Sequence, residues 1–220
     1  MPVQADLHVH SFYSKDSLIT PKELVFYAKK RGLNAVAVTD HNQLNSALKI
    51  AKETDFLIIP GMEVSSRDGH IVALNVSELV PRGLSADETV DRIHKANGIA
   101  IACHVYALFK GSLGKNVSAK FDAIEVVNAR AFPFGRCARK AEKTADCLGL
   151  SRVGGTDAHY GPQIGYGYTV IDAEPNVEAI IKAIKAGRCQ AFGQPVPVFL
   201  NLQQQIQRLQ RMAKKASNRY

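Results

Sequence analysis

The chain carries seven histidines, and most stand where a short apolar run begins or ends. His8 and His10 close ADLHVH, Asp40 and His41 follow AVAVT, His104 follows IAIAC, and Asp157 and His159 follow RVGGT. Glu63 lies just beyond FLIIP, in PGMEVSS, and His70 begins HIVALNV. Alternate residues of a β-strand share a face, so His8 and His10 point the same way, and the DAH unit at 157–159 repeats that geometry. A lone HxH is most often two solvent-facing histidines at a strand end. The set is different, because scattered core or surface histidines have no reason to gather at strand ends.

Imidazoles and carboxylates without a thiolate partner argue against a closed structural zinc site. They suit Zn²⁺, Mn²⁺ or Fe²⁺ better than Mg²⁺ or Ca²⁺. The donors are too many for one ion of about four- to six-fold coordination, so two or three divalent ions must share them, with at least one carboxylate bridging. Such clusters hydrolyse esters by making hydroxide available at neutral pH and by neutralising the oxygens of an in-line displacement.

The elements that must position these groups alternate along the chain. Strands are expected at 5–9, 35–39, 56–60, 70–76, 99–103, 123–127, 152–156 and 168–171. Thr20-Pro21-Lys22-Glu23 and Ser85-Ala86-Asp87-Glu88 are capping boxes that start helices, the first with proline at the first helical position. Further helices are expected near 44–53, 136–148 and 177–186, the last closed by Gly187. Strand–helix alternation with continuous apolar strands argues for one parallel α/β domain, and an open doubly wound sheet and a closed barrel both fit. In a barrel the C-terminal strand ends converge on one face, where active sites are built. No GxGxxG or P-loop follows the first strand, which disfavours nucleotide-binding versions of the open sheet. His94 falls inside a helical pattern and is given no role.

With 220 residues and 46% hydrophobic content, the composition is that of an ordinary globular protein. No apolar stretch approaches the roughly 18–20 residues of a membrane span, and no basic segment followed by an apolar core marks a secretory signal. The four cysteines form no CxxC pair and read as reduced thiols of a cytoplasmic protein. Cys103, in a regular strand, would face away from its neighbour His104. The net charge of +8 belongs to the C-terminal end: no acidic residue follows Glu178, whereas Lys182, Lys185, Arg188, Arg208, Arg211, Lys214, Lys215 and Arg219 do. Phe199, Leu202, Ile206, Leu209 and Met212 fall at helical spacing, so 199–213 reads as one more helix. Its apolar stripe is expected to dock on the barrel, with dimerisation or an acidic partner as the alternatives. Its basic residues are compatible with RNA or DNA contact, although no motif supports it. We expect a single domain over residues 1–198 and a basic amphipathic helix or tail over 199–220.

The ordered motifs DLHVHS, VTDHN, GMEVSS, ACH and GGTDAH resemble the PHP (polymerase and histidinol phosphatase) family of metal-dependent phosphoesterases, over about residues 6–160. The resemblance implies a distorted (βα)7 TIM-like barrel with a trinuclear metal centre at the strand C-termini. It implies that His8, His10, Glu63 and Asp157 hold one ion, that Glu63 bridges to a second bound also by His70 and His104, and that Asp16, His41 and His159 hold the third. Relatives place a basic residue near the site to hold phosphate, and Arg130, after the strand AIEVV, is the best-placed candidate. Many relatives have His-Pro where this chain has His104-Val105, which is expected to alter loop shape rather than chemistry. Some relatives carry an insertion that covers the site; without room for one, an open site would admit a nucleotide or oligonucleotide.

The expected activity is hydrolysis of a phosphate ester, of a phosphorylated small molecule or a nucleotide, by a metal-bridging hydroxide with Arg130 stabilising the developing charge. Two other readings are an amidohydrolase-like C–N or lactone hydrolase and a nucleic-acid-binding module using the C-terminal helix. Glu63, standing where amidohydrolases supply a lysine bridge, weighs against the first. The complete ligand set weighs against the second.

Overall fold

The computed structural model describes residues 1–108 and 111–217, with side chains as far as Lys214; Arg219 and the Lys215 side chain lie outside the described residues. The apolar runs form nine strands: β1 (Val3–Val9), β2 (Ala35–Val38), β3 (Leu57–Ser65), β4 (His70–Leu74), β5 (Ile99–Ala102), β6 (Ala123–Asn128), β7 (Ser151–Gly155), β8 (Gly167–Ile171) and β9 (Cys189–Gly193). The helices are α1 (Pro21–Lys30), α2 (Asn45–Lys52), α3 (Ala86–Lys95), α4 (Phe134–Leu148), α5 (Val177–Lys185) and α6 (Val198–Ser217). Both expected capping boxes form: Thr20 and Ser85 accept from the backbone of Glu23 and Glu88, whose side chains reach back to the cap N–H groups. Gly149, with φ +67°, lets the chain leave α4 in the left-handed conformation that a side chain would oppose.

One sheet runs β7-β6-β5-β4-β3-β2-β1-β8-β9. The neighbours β1, β2 and β3 are parallel, as are β5, β6 and β7. The two ends of the sheet meet through threonine side chains. Thr169 Oγ1 accepts from Gly154 N at 2.8 Å and donates to Gly154 O at 2.9 Å. Thr156 Oγ1 does the same for Gly167, at 3.0 and 3.1 Å. A Cβ on Gly167 would stand 2.2 Å from Gly155 O, so this approach requires glycine. The result is a nearly closed barrel in a single α/β domain, as expected.

The sheet is mixed rather than wholly parallel. β4 is antiparallel to both β3 and β5, and β8 to both β1 and β9. The tight connection from Ser65 to His70 permits only a hairpin, since a parallel crossover needs about a dozen residues or more. The reversal puts the first residue of β4 at the barrel end where its neighbours finish, which explains why His70 begins its strand while the other histidines end theirs. β9 was not anticipated, because CQAFG is short and half-exposed and has no apolar alternation. Strand residues such as Val3, Ala5, Leu7, Ile59 and Val153 share one buried cluster with Ile180 and Ile184 of α5. Two further clusters lie under α1 and α2 and under α3 and α4.

The C-terminal helix docks by a different face from the expected one. Leu200 and Gln204 are its buried residues, while Phe199, Leu202, Ile206, Leu209 and Met212 are exposed. Leu200 packs with Ala129 and Val196, and the remaining inner contacts are polar, where buried groups need partners. Gln163 Nε2 donates to Asn201 Oδ1 at 2.9 Å and to Gln204 Oε1 at 3.0 Å. Gln207 Nε2 donates to Tyr160 Oη at 3.1 Å, and Arg211 Nη1 to Ser17 O at 3.3 Å.

Candidate metal centre

The strand ends bring all the expected donors together at one end of the barrel, around Glu63. β1 delivers His8 and His10 fully buried, with Nε2 atoms 3.2 Å apart. His10 Nε2 is 3.4 Å from both Glu63 Oε2 and Asp157 Oδ1, and His8 Nε2 is 3.7 and 3.8 Å from Glu63 Oε1 and Asp157 Oδ1. Glu63 Oε1 also lies 2.9 Å from both His70 Nδ1 and His104 Nε2. On the other side of the cluster Asp16 Oδ2 is 3.4 Å from His41 Nε2 and 3.2 Å from His159 Nε2, while His41 Nδ1 is 2.8 Å from Glu63 Oε2. The nine donors named by the family resemblance thus share one cluster, and His41 and His10 each lie near donors of more than one of the implied groupings.

The backbone is bent to achieve this. His104 and Asp157 adopt φ of +31° and +61°, the left-handed region that costs a non-glycine residue roughly 1–3 kcal/mol. The surrounding structure enforces both conformations. His104 N donates to Glu125 Oε2 at 2.9 Å, and Asp157 N donates to His8 O at 2.7 Å. The turn at His104 also overturns the expectation for Cys103. Strand alternation ends there, so Cys103 does not face away: its Sγ is 3.5 Å from His104 Nε2 and 3.7 Å from Glu63 Oε1. The thiol donates to His70 O at 3.3 Å.

Three further carboxylates support the cluster, and two of them, Glu125 and Asp6, have no counterpart in the sequence analysis. Glu125, buried in β6, lies with Oε1 2.8 Å from His8 Nδ1, and its Oε2 accepts from His104 N and from Asn128 Nδ2. One carboxylate thereby orients two candidate ligands. Asp40, fully buried, accepts from Ser11 N, Ser11 Oγ, Ser14 Oγ and Ser46 Oγ at 2.5–2.8 Å, tying the Asp16 loop to β2. Asp6 accepts from Thr156 N and Gly165 N at 2.8 and 2.9 Å, and burial pushes its carboxyl up to about 6. An acidic residue inside an apolar run, as in AIEVV, was the available signal for Glu125. His94 stands apart, 2.7 Å from Asp122 Oδ2.

Crowding dominates the electrostatics. Burial opposes charge on Glu63, but the imidazoles of His104, His41, His70 and His8 outweigh it and hold the carboxyl well below the usual range. Burial likewise opposes protonation of His8, yet Glu125 keeps its imidazole up to about 9. His10 is pushed well down by burial and by the neighbouring imidazoles.

The donor set fits divalent cations on the structure's own terms. Asp16 Oδ1 is buried with no hydrogen bond, and Glu63 Oε2, also buried, makes none despite its close nitrogens. Triads such as His8–His10–Glu63, His10–His41–His159 and His41–Glu63–His70 each place one ligand atom per residue within 4.8 Å of the others. A cavity of about 440 Å³ opens onto Asp16, His41, His70, His104 and His159. Arg130 forms part of its wall. Its Nη1 donates to Asp157 O at 2.9 Å and lies 2.6 Å from His159 Nδ1, so the guanidinium is fixed at the rim of the cluster.

Residues 6–104 match the PHP domain, and residues 136–189 match the PHP-associated domain. An uncharacterized protein of Methanocaldococcus jannaschii is 35% identical over 141 residues, spanning 58% of this chain and 82% of that protein. A 5'-3' exoribonuclease of Haemophilus influenzae is 37% identical over 89 residues, which span 37% of this chain and 32% of the enzyme. Among solved structures, a two-domain protein of Bacteroides vulgatus containing a predicted PHP-like metal-dependent phosphoesterase superposes with a TM-score of 0.71 at 19% identity, over 88% of this chain and 65% of that one. A lesion-specific endonuclease from Pyrococcus furiosus superposes with a TM-score of 0.67 at 21% identity, over 84% of this chain and 56% of that one. These two likenesses show a shared fold. No helix among the described residues is long and apolar enough to cross a membrane.

Proposed function

The chain belongs to the PHP domain family, and from that premise we propose that it is a metal-dependent hydrolase of phosphate esters. One observation carries the proposal: imidazoles and carboxylates from β1, β3, β4 and the loops after β2, β5 and β7 meet around a single buried Glu63, beside a cavity walled by an arginine. His8, His10, Glu63 and Asp157 would hold one ion, Glu63 with His70 and His104 a second, and Asp16, His41 and His159 a third. Zn²⁺, Mn²⁺ or Fe²⁺ bound there would supply a water nucleophile at neutral pH and neutralise the phosphoryl oxygens.

The protein's own contribution is orientation and charge. Glu125 fixes the ring of His8 and the backbone of His104. Arg130, held by Asp157 O, lines the cavity, where a phosphoryl oxygen would accept from its guanidinium. Full burial of His8 and His10 excludes water behind the cluster, so substrate approaches from the cavity side alone. The cavity has room for a phosphorylated small molecule or the terminal nucleotide of an oligonucleotide. The exoribonuclease and endonuclease relatives favour the nucleotide. A C–N or lactone hydrolase has less support, because Glu63 occupies the central place and no lysine lines the cavity among the described residues.

The test is metal analysis of the purified protein, then phosphate release from sugar, amino-alcohol and nucleotide monoesters and from 5'-phosphorylated RNA, with Mn²⁺ and Zn²⁺. His10→Ala and Asp157→Ala should lose bound metal and turnover together. Full turnover in a metal-free variant would sink the proposal.

A further inference from the structure

The C-terminal helix meets the barrel with a largely polar face and turns its apolar face outward. At about 100° per residue, Leu200, Gln204, Gln207 and Arg211 line the inner side of α6, and the opposite side carries Val198, Phe199, Leu202, Ile206, Leu209 and Met212. Each of those six side chains is 55–73% exposed. Phe199, Leu202, Ile206, Leu209 and Ala213 follow the alternating three-and-four spacing of a coiled-coil seam over two heptads.

We propose that this outer face of α6 is a self-association surface on which two copies of the chain pair. Size is the first argument. At roughly 100 Å² of exposed surface for each large apolar side chain, the stripe offers about 600 Å² per copy, the upper end of what a monomer commonly leaves bare. Two copies would bury about 1,200 Å², the lower bound of a stable specific interface, before any contact between the barrels.

Charge is the second argument, and it selects the partner. The positions flanking the seam are Gln203, Gln205, Gln210 and Met212, all uncharged. An anionic membrane would be met by lysines and arginines along that border. Arg208, Arg211 and Lys214 instead stand outside those flanking positions, and Arg211 is turned inward to Ser17 O. An acidic protein would likewise find no cation at the seam's flanking positions among the described residues. A second copy meets glutamine with glutamine, with no like-charge repulsion across the seam. The inner face of the same helix holds Gln163, whose Oε1 accepts from His159 N at 3.0 Å, so the paired helices would also brace the loop carrying His159.

The test is sedimentation equilibrium of the full metal-loaded chain at ~10–100 µM, a range that resolves a micromolar dimer. The expected mass is twice the chain's 24.0 kDa, falling twofold in Leu202→Glu/Leu209→Glu with thermal melting and metal content retained. If that double variant does not fold, Leu209→Lys alone should weaken association at least tenfold. Phe26→Glu, at an exposed site on α1, should leave the dimer intact. A wild-type chain of 24.0 kDa throughout, or a dimer that survives the double variant, would overturn the proposal. Flotation of a monomeric wild-type chain with phosphatidylserine vesicles would assign the stripe to a membrane and overturn it equally.

Discussion

Replacing Glu125 by glutamine removes one charge and almost no volume, at a residue that touches the cavity only through others. Its Oε1 faces His8 Nδ1 at 2.8 Å, and its Oε2 takes the His104 N–H at 2.9 Å. The two contacts serve ligands of different proposed ion groupings, so the substitution should loosen both. A lost outer carboxylate behind a ligating histidine ordinarily costs about 10- to 100-fold in metal affinity. Because the amide loses the charge facing His8 while two backbone and side-chain donors still need its Oε2, the upper end applies: about 100-fold, or about 2.8 kcal/mol. The assay is competition for Zn²⁺ and Mn²⁺ against a chelator of known affinity, with the far-ultraviolet spectrum and melting temperature as controls. Asn128→Ala, which leaves the carboxylate charge in place, should shift affinity far less. A Glu125→Gln protein that folds normally and binds metal within twofold of wild type would refute the reasoning.

Arg130→Gln should leave metal content unchanged but raise KM for a phosphate ester and weaken inhibition by inorganic phosphate, each by about tenfold or more, as expected for loss of a charged hydrogen bond of roughly 1.5–3 kcal/mol. Equal inhibition of both proteins by phosphate would remove Arg130 from the substrate site. Gly155→Ala would place a Cβ 2.7 Å from His8 Cβ and 2.9 Å from Glu125 Oε1. It should cost about 1–3 kcal/mol in denaturant unfolding and reduce bound metal, and an unchanged unfolding midpoint would show that this contact relaxes freely.

Much of the site was legible because its geometry is local. HVH places two donors on one side of an extended segment, and period-two spacing is visible in one dimension; DAH lies beyond β7 and brings its two donors within 3.4 Å through the left-handed turn at Asp157 instead. Residue types then named the chemistry. Glu125 was hidden because a single acid in AIEVV looks like a strand's solvent face, and only the barrel shows that this face points at His8. Cys103 was misplaced because alternation assumes a regular strand, whereas φ at His104 is +31°. The outward turn of α6 was hidden for a related reason. Spacing identifies an apolar face but not what lies opposite it, and here the polar side chain of Gln163 claims the inner position.

The sequence by itself determined the first eight strands, the capping-box helix starts and the donor types at the strand ends, since each depends on interactions within a few residues. Only the tertiary structure decided that His8 and Asp157 lie within 3.8 Å of each other, that the reversed β4 brings His70 to the same end, and that Glu63 stands at the centre. Those facts depend on sheet order, strand direction and closure of β7 against β8. Pairing between residues far apart in the chain sets all three, and no short stretch encodes it.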